Sequence, residues 1–216
     1  MNWDAYYAAG KAPDTPSAFA QAVEPLLKRG AYVLDVGCGN GRDTSYFEQM
    51  GHEPLGFDGS KAAILGSVAP HRVYEGDAIQ QLSAFAYSDA IYMRWFLHAA
   101  PPLVQDAILK LASCSLIPGG ILAIEARSAN GEHPDDHARW PVDPEVLEEK
   151  LERLGMTVEM LAESTDFSPV GEDRPLLLRC LARLQTEDRR LVADGAALVQ
   201  GGSAIAPARP PYLKGL

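Results

Sequence analysis

Three glycines at alternate positions, Gly37, Gly39 and Gly41, follow an apolar segment that ends at Val36. Because glycine has no Cβ, it permits tight turns and the close approach of a ligand to the backbone. A helix that begins directly after such a loop directs unpaired N–H groups at the same place. Arg42 stands where a dinucleotide-binding Gly-x-Gly-x-x-Gly loop needs its third glycine. The loop therefore predicts a site for a nucleotide-like cofactor and disfavours a nicotinamide or flavin enzyme.

Acidic side chains stand at comparable places near predicted strand ends. Asp35 precedes the glycines by two residues, and Asp58 ends a second predicted strand within Pro54–Ser60. Asp77 follows a short third strand, Arg72–Tyr74. In open α/β sheets, ligands bind at the carboxyl ends of the strands, where one carboxylate can hold both hydroxyls of a ribose. We therefore expect Asp58 to contact a ribose.

The stretch Val33–Thr44 resembles motif I of the class I S-adenosylmethionine-dependent methyltransferases of the small-molecule type. The acid Asp58, the segment Glu75–Ala78 and the turn Ile117–Gly120 follow in the order typical of that family, over about residues 30 to 126. The resemblance implies that S-adenosyl-L-methionine is the cofactor and that the acid after the third strand reads its adenine amino group. It implies cofactor contacts from Tyr7, Asp35, Gly37, Cys38, Gly39, Arg42, Asp43, Asp58, Gly59, Ser60, Asp77, Ala78, Ile79 and Arg94.

Strand and helix signals alternate along the chain, which is typical of βαβ units. The strands are apolar on both faces, as parallel strands covered by helices should be; they centre on Val33, Leu55, Val73, Ile91 and Leu122. Helices are predicted over 17–28, 43–50, 61–66, 79–85, 102–113 and 144–154. The segments 156–162 and 176–184 are strand-like and match the antiparallel hairpin that ends the family's sheet. The predicted fold is α/β, a Rossmann-like doubly wound seven-stranded sheet, mostly parallel with a C-terminal antiparallel hairpin.

Three regions are expected along the chain. Residues 1–29 form an N-terminal lid and helix, residues 30–184 form the methyltransferase core, and residues 185–216 form a C-terminal extension with a short helix near 191–199. By resemblance to small-molecule members, the aromatic residues Trp3, Tyr6 and Tyr7 close over the donor. The alternative is that Trp3 and Tyr6 only cover the core at a helix edge. The extension is either a mobile tail or an arm that reaches a second subunit or the pocket mouth. If the arm reaches a second subunit, the protein is a homodimer.

His98 is the candidate catalytic residue. It follows the fourth predicted strand, and imidazole can accept a proton near neutral pH, which can accelerate a reaction roughly a hundredfold or more. The alternative is that His98 caps the helix that follows, ahead of Pro101. Arg94, in the same segment, is expected to contact either the donor carboxylate or an anion on the substrate.

Substrate contacts are predicted on the other side of the transferred methyl group. Arginine forks match the oxygens of a carboxylate or phosphate, and insertions after the fifth strand form part of the acceptor pocket in the resembled family. The predicted substrate-binding residues are Tyr6, Trp95, Arg127, His137 and Arg139. The alternative is a solvated loop that pairs its own Asp and Arg residues. A metal site on His133 and His137 is disfavoured, because Pro134 intervenes and no third ligand is dictated by spacing.

Composition restricts the partners and the compartment. The chain has 216 residues, 47% of them hydrophobic, which suits one domain with a sizeable core. A net charge of -10 repels a phosphate backbone, so nucleic acid is not the expected substrate. Three scattered cysteines predict reduced thiols and a cytoplasmic protein. No apolar run reaches the length of a membrane span and no signal peptide is evident, so no membrane partner is expected.

The combined prediction is an enzyme that moves a methyl group from S-adenosyl-L-methionine to a small, anionic metabolite or natural-product intermediate by in-line displacement. Alignment of the reacting atoms and exclusion of water can contribute about 7 to 11 kcal/mol. The alternatives are a peptide or protein methyltransferase, an aminopropyl transferase, and a non-catalytic cofactor-binding domain.

Overall fold

The computed structural model describes residues 2–131, 140–168 and 174–186. The chain divides into two units, Met1–Thr186 and Glu187–Leu216. All described residues belong to the first unit. The short helix predicted near 191–199 lies outside the described residues.

Within the described residues the chain forms seven strands and seven α-helices. The strands are β1 Tyr32–Val36, β2 Glu53–Asp58, β3 Val73–Glu75, β4 Ser88–Arg94, β5 Leu116–Arg127, β6 Met156–Ser164 and β7 Leu177–Leu184. The helices are α1 Trp3–Ala8, α2 Ala18–Val23, α3 Arg42–Gln49, α4 Lys61–Leu65, α5 Ala78–Ala84, α6 Pro102–Ser115 and α7 Pro144–Arg153. Short 3-10 turns span Glu24–Leu26 and Leu97–Ala99.

The strands form one sheet in the order β3-β2-β1-β4-β5-β7-β6. The four pairings from β3 to β5 are parallel, and β7 pairs antiparallel with both β5 and β6. This arrangement confirms the predicted fold class. The strand order reverses beside β1, where β2 lies on one side and β4 on the other. Ligands bind in open α/β sheets at such a reversal, outside the carboxyl ends of the strands.

Both faces of the sheet are covered, which is why its central strands carry apolar residues on both faces. Leu34 and Ile91 belong to a large core on one face, which includes residues of α5, α6 and α7. Val33 and Tyr92 belong to a smaller core on the other face, with residues of α2 and α3. Neighbouring residues of a strand point to opposite faces, so β1 and β4 contribute to both cores.

Two element boundaries differ from the prediction. The helix expected over 17–28 ends at Val23 and continues only as a 3-10 turn, because Pro25 has no N–H for a helical hydrogen bond. Strand β5 begins at Leu116, ahead of the Pro-Gly-Gly turn, since Leu116 pairs with Ser88 across a register irregularity. No helix in the described ranges is long and apolar enough to cross a bilayer.

Candidate functional site

A cavity of about 1100 Å³ lies at the carboxyl ends of β1, β2 and β4. Its wall includes the glycine loop after β1, the end of β2 with the residues up to Ser60, the segment Gly76–Ile79, the segment after β4, and residues of the N-terminal segment between Asn2 and Pro13. The volume is at the upper end of that of small-molecule sites, which suits a nucleoside cofactor together with a small second molecule.

The glycine loop is shaped by close contacts at the cavity wall. Gly37, Gly39 and Gly41 have φ values of +73°, +58° and +75°, a region that side chains rarely adopt. A Cβ on Gly37 would lie 2.6 Å from a ring carbon of Phe96, and one on Gly39 would lie 2.1 Å from the Tyr7 hydroxyl oxygen. The glycines are therefore required both by backbone conformation and by the neighbours of the loop.

Asp58 ends β2 with its carboxylate fixed beside the glycine loop. Its Oδ2 accepts a hydrogen bond from the Gly39 N–H at 2.9 Å, and its Oδ1 accepts one from the Ser60 N–H at 2.8 Å. Burial raises the pKa of Asp58, while these two hydrogen bonds oppose that rise. The side chain lines the cavity with Gly59 and Ser60. This placement is the one that the ribose contact predicted for Asp58 requires.

Asp35 and Asp43 are two buried carboxyl groups at the start of the site. The Thr44 hydroxyl donates to Asp35 at 2.6 Å. Burial, and next the nearby Asp43 carboxylate, raise the pKa of Asp35 to about 7. Asp43 accepts hydrogen bonds from the Ser17 N–H at 2.7 Å, the Ser17 hydroxyl at 2.8 Å and the Tyr92 hydroxyl at 2.9 Å. Both oxygens of Asp43 fasten the start of α2 to α3 and β4, and Asp43, predicted to contact the cofactor, also lines the cavity.

Asp77 stands at the start of α5 and lines a different part of the cavity wall from Asp58. Its Oδ1 accepts hydrogen bonds from the N–H groups of Ile79 and Gln80, both at 3.0 Å, so Asp77 is the N-cap of the helix. Asp77, Ala78 and Ile79 all line the cavity. The cap fixes the carboxyl group beside an apolar wall, an arrangement suited to a flat base with a polar edge.

The N-terminal segment between Asn2 and Pro13 forms part of the cavity wall. Asp4 accepts hydrogen bonds from the Ser60 hydroxyl at 2.7 Å and the Ala62 N–H at 3.1 Å. The rings of Tyr6 and Tyr7 pack edge to face with centroids 5.2 Å apart, and both residues line the cavity. Burial raises the pKa of Tyr7 above its ordinary range. Arg42 lies at the same boundary, where it donates to the Thr15 carbonyl at 3.1 Å.

A basic and aromatic group of residues forms the side of the cavity nearest β4 and β5. Trp95 has the left-handed φ of +57°. The guanidinium carbons of Arg94 and Arg127 lie 5.6 Å and 5.4 Å from its ring centroid. Arg94 also forms an ion pair with Glu125, with 3.0 Å between Nε and Oε1, although the N–H is not aligned as a hydrogen bond. Arg94, Trp95 and Arg127 all line the cavity, as predicted residues of the site should.

His98 lies behind this group. It is 0% exposed, and its Nδ1 accepts a hydrogen bond from the Arg127 N–H at 3.1 Å. Its ring packs edge to face on Trp95 with centroids 5.8 Å apart, and His98 is not among the described residues that line the cavity. With Nδ1 occupied and the ring behind the wall, the general-base role predicted for His98 does not fit this placement. The alternative of an exposed helix cap does not fit either, since the ring is buried.

The remaining predicted residues, His137 and Arg139, lie outside the described residues, as does His133. Among the described residues, no cluster of His, Cys, Asp or Glu has the number of ligands needed for a metal ion.

Sequence reasoning missed Glu125, which is 0% exposed and contacts four side chains near the cavity. A signal was present: Glu125 interrupts an apolar strand, and a charged residue in a buried strand must be paired. It also missed Asp4, whose partner Ser60 is distant in sequence.

Residues 7–165 match the family model described as a methyltransferase domain. The chain therefore belongs to the methyltransferase domain family. Family and fold together define a class I S-adenosylmethionine-dependent methyltransferase. The enzyme class and the cofactor predicted from the sequence are confirmed at this level.

Solved structures with the same fold include a SAM-dependent methyltransferase from Archaeoglobus fulgidus, with a TM-score of 0.62 and 21% identity over 76% of this chain and 94% of that chain. A 1,6-didemethyltoxoflavin-N1-methyltransferase from Burkholderia thailandensis has a TM-score of 0.66 and 23% identity over 84% of each chain. Magnesium protoporphyrin IX methyltransferase from Synechocystis PCC 6803 has a TM-score of 0.61 and 15% identity over 77% of this chain and 78% of that chain.

A curated relative, the LexA repressor of Dechloromonas aromatica (strain RCB), is 26% identical over 159 residues, which cover 74% of this chain and 70% of the relative. At this identity the relative's name describes that protein alone.

Proposed function

We propose that this chain transfers a methyl group from S-adenosyl-L-methionine to a small cytoplasmic metabolite or natural-product intermediate that carries a carboxylate or phosphate. The observation that carries the proposal is the division of charge around the cavity. Carboxyl groups of Asp35, Asp58 and Asp77 line one part, and the guanidinium groups of Arg94 and Arg127 line another.

The acidic part fits the donor. Asp58 is oriented by two backbone N–H groups, and Asp77 is oriented by the start of α5. The absence of Cβ atoms in the glycine loop lets Phe96 and Tyr7 pack directly against its backbone at the cavity wall. When bound, the donor supplies a sulfonium methyl that is already activated for transfer. We assign ribose binding to Asp58, adenine binding to Asp77, Ala78 and Ile79, and charge complementarity toward the methionine part to Asp35.

The basic part fits an anionic acceptor. A guanidinium matches carboxylate and phosphate oxygens and stays charged at every physiological pH. Two such groups flank the ring of Trp95, which offers an aromatic face beside them. This local charge is opposite in sign to the chain as a whole, which carries a net charge of -10. The contrast supports a small anion over a nucleic acid, which would meet the negative surface first.

The chain's own contribution to the reaction is to position the two molecules and exclude water. Tyr6 and Tyr7 cover the cavity, and Asp4 fastens their helix beside Ser60. Such positioning can contribute about 7 to 11 kcal/mol. A carboxylate or phosphate oxygen has no proton to lose, so this acceptor needs no general base. That agrees with the buried position of His98.

The names of two of the solved structures support a small acceptor, since those enzymes are methyltransferases of 1,6-didemethyltoxoflavin and of magnesium protoporphyrin IX. A peptide or protein acceptor, and a domain that binds the donor without turnover, are the alternatives that the experiment must separate.

The test is transfer of labelled methyl from S-adenosyl-L-methionine into a bacterial metabolite extract that is then fractionated by charge and size. The proposal expects label in the small-anion fraction with the parent protein and strongly reduced label with Asp58→Ala. Label in protein would favour a peptide acceptor. Tight donor binding without label in any fraction would favour the binding domain.

A further inference from the structure

Glu125 brings together groups from four parts of the chain. Its Oε1 accepts a hydrogen bond from the Trp95 indole N–H at 3.0 Å and lies 3.0 Å from Arg94 Nε. Its Oε2 lies 2.7 Å from Arg179, which donates through Nε. The Ser168 hydroxyl donates to both oxygens, at 3.1 Å and 3.3 Å. Both oxygens of the carboxylate therefore contact polar side chains.

The charges around Glu125 do not cancel. A fully buried carboxylate is costly unless it is paired and hydrogen-bonded. Here one carboxylate meets two arginines, Arg94 and Arg179, so positive charge remains in excess beside the cavity. Arg94 lies in the cavity wall, whereas Glu125 lies behind it. Glu125 therefore fixes where this positive charge stands without removing it.

Glu125 also holds the backbone and the side chain of Trp95. The Trp95 N–H donates to the Glu125 carbonyl at 2.8 Å, in addition to the indole contact. A left-handed φ of +57° is unfavourable for a residue other than glycine, and such strain persists where the surroundings determine the conformation. The two bonds to Glu125 supply that determination and direct the ring to the cavity.

The same network reaches the connection between β6 and β7. Arg179 donates to the Phe167 carbonyl at 2.9 Å, and its guanidinium carbon lies 4.3 Å from the Phe167 ring centroid. Ser168 adds its hydrogen bonds to Glu125. Phe167 and Ser168 are therefore coupled to the wall that carries Trp95.

We propose that Glu125 is a positioning residue for the acceptor: through Trp95 and Arg94 it sets the shape and charge of the acceptor side of the cavity, and its loss weakens acceptor binding more than donor binding. The inference rests on the proposed function, since it assigns the basic wall to the acceptor. It gives Glu125 a different role from Asp58, because loss of Asp58 should weaken binding of the donor instead.

The experiment compares the parent protein with Glu125→Gln and with a control variant. Each protein is saturated with S-adenosylhomocysteine and labelled with ¹⁵N at the tryptophan indoles. The Trp95 signal is assigned by its loss in Trp95→Phe. Glu159→Gln is the matched control, because it also removes a carboxylate that pairs with a β7 arginine, Arg183 at 2.6 Å, but on an exposed site. Sodium benzoate serves as the anionic probe and is titrated against the Trp95 signal.

In Glu125→Gln, we expect the Trp95 indole N–H to exchange with solvent roughly ten to a hundred times faster, since a hydrogen bond to a charged group contributes about 1.5 to 3 kcal/mol. Half-saturation by benzoate should need about ten times more probe. The affinity for S-adenosylhomocysteine should stay within about threefold of the parent value. Glu159→Gln should match the parent in all three measurements.

Indole exchange within twofold of the parent would overturn the proposal, as would an equal loss of affinity for S-adenosylhomocysteine and benzoate. Faster indole exchange in a protein whose parent does not respond to benzoate would support the role of Glu125 and count against the anionic acceptor. If Glu125→Gln does not fold, the double variant Glu125→Gln with Arg179→Met removes one charge of each sign and takes its place under the same criteria.

Discussion

The hydroxyl oxygen of Tyr7 lies so close to Gly39 that a Cβ on this glycine would stand 2.1 Å from it. Helix α1 and the glycine loop are therefore fitted to each other through a residue that has no side chain. Gly39 has a φ of +58°, so two separate constraints, steric and conformational, act at the same position.

Gly39→Ala should weaken binding of S-adenosylhomocysteine about tenfold or more, because the new methyl group displaces Tyr7 from the cavity wall. Gly30→Ala is the control, since Gly30 has a similar φ of +68° with no atom near its Cβ position. Both variants should lose stability from backbone strain, about 1 to 2 kcal/mol. Calorimetric titration measures the affinities, and equal affinity losses in the two variants would contradict the prediction.

Asp58→Asn should lower the affinity for S-adenosylhomocysteine by roughly ten to a hundred times, because the charged acceptor offered to the ribose hydroxyls is lost. Asp89→Asn is the matched control: Asp89 also accepts a backbone hydrogen bond, from Tyr32 at 2.8 Å, but it does not line the cavity. Calorimetry on both variants makes the comparison. Unchanged affinity in Asp58→Asn would show that the ribose assignment is wrong.

Asp35 should make the unliganded protein less stable as the pH rises from about 4 to about 7. Its pKa in the folded chain is raised to about 7, so over this range the folded state holds a proton that the unfolded state releases. The free energy of unfolding therefore falls as the pH rises through this range, by a total on the order of 4 kcal/mol. It stops falling above about pH 7.

The measurement is urea unfolding of the parent and of Asp35→Asn at several pH values, without donor. The difference in unfolding free energy between the two proteins should move in favour of Asp35→Asn as the pH rises. The same variant should bind S-adenosylhomocysteine more weakly at pH 8, where the parent carboxylate is charged. Parallel stability curves for the two proteins would refute the assignment of the proton to Asp35.

Ser60→Ala should let the donor product leave faster, since it removes the hydroxyl that fastens Asp4 and with it the helix of Tyr6 and Tyr7. The hydrogen bond to Ser60 lowers the pKa of Asp4, so the bond is expected to persist at neutral pH. Stopped-flow release of S-adenosylhomocysteine should accelerate a few-fold. Ser45→Ala, at an exposed hydroxyl bonded only to Gln49 in the described structure, provides the control. Equal release rates would indicate that this contact does not hold the lid closed.

Local patterns in the sequence determined the sheet and the part of the cavity formed by the glycine loop and Asp58. Apolar residues on both faces of the segments around Val33 and Ile91 predict buried parallel strands, and the observed sheet follows that pattern. Gly37 to Gly41 and Asp58 are informative for the same reason, because each requirement is fulfilled within a few residues of a strand end. Spacing along the chain is then nearly the same information as proximity in space.

Tertiary structure alone decided the arrangement of the basic side of the cavity near β4 and β5. Whether His98 faced the cavity or the core depended on how the segment after β4 packs on the end of β5, where Arg127 donates to it. Glu125 meets Arg179 only because β7 lies between β5 and β6 and brings Arg179 beside β5. Asp43 is engaged by Ser17 and Tyr92, which are 26 and 49 residues away. A periodic pattern reports which face of its own element is buried, but the partner across that face is fixed by strand order and packing.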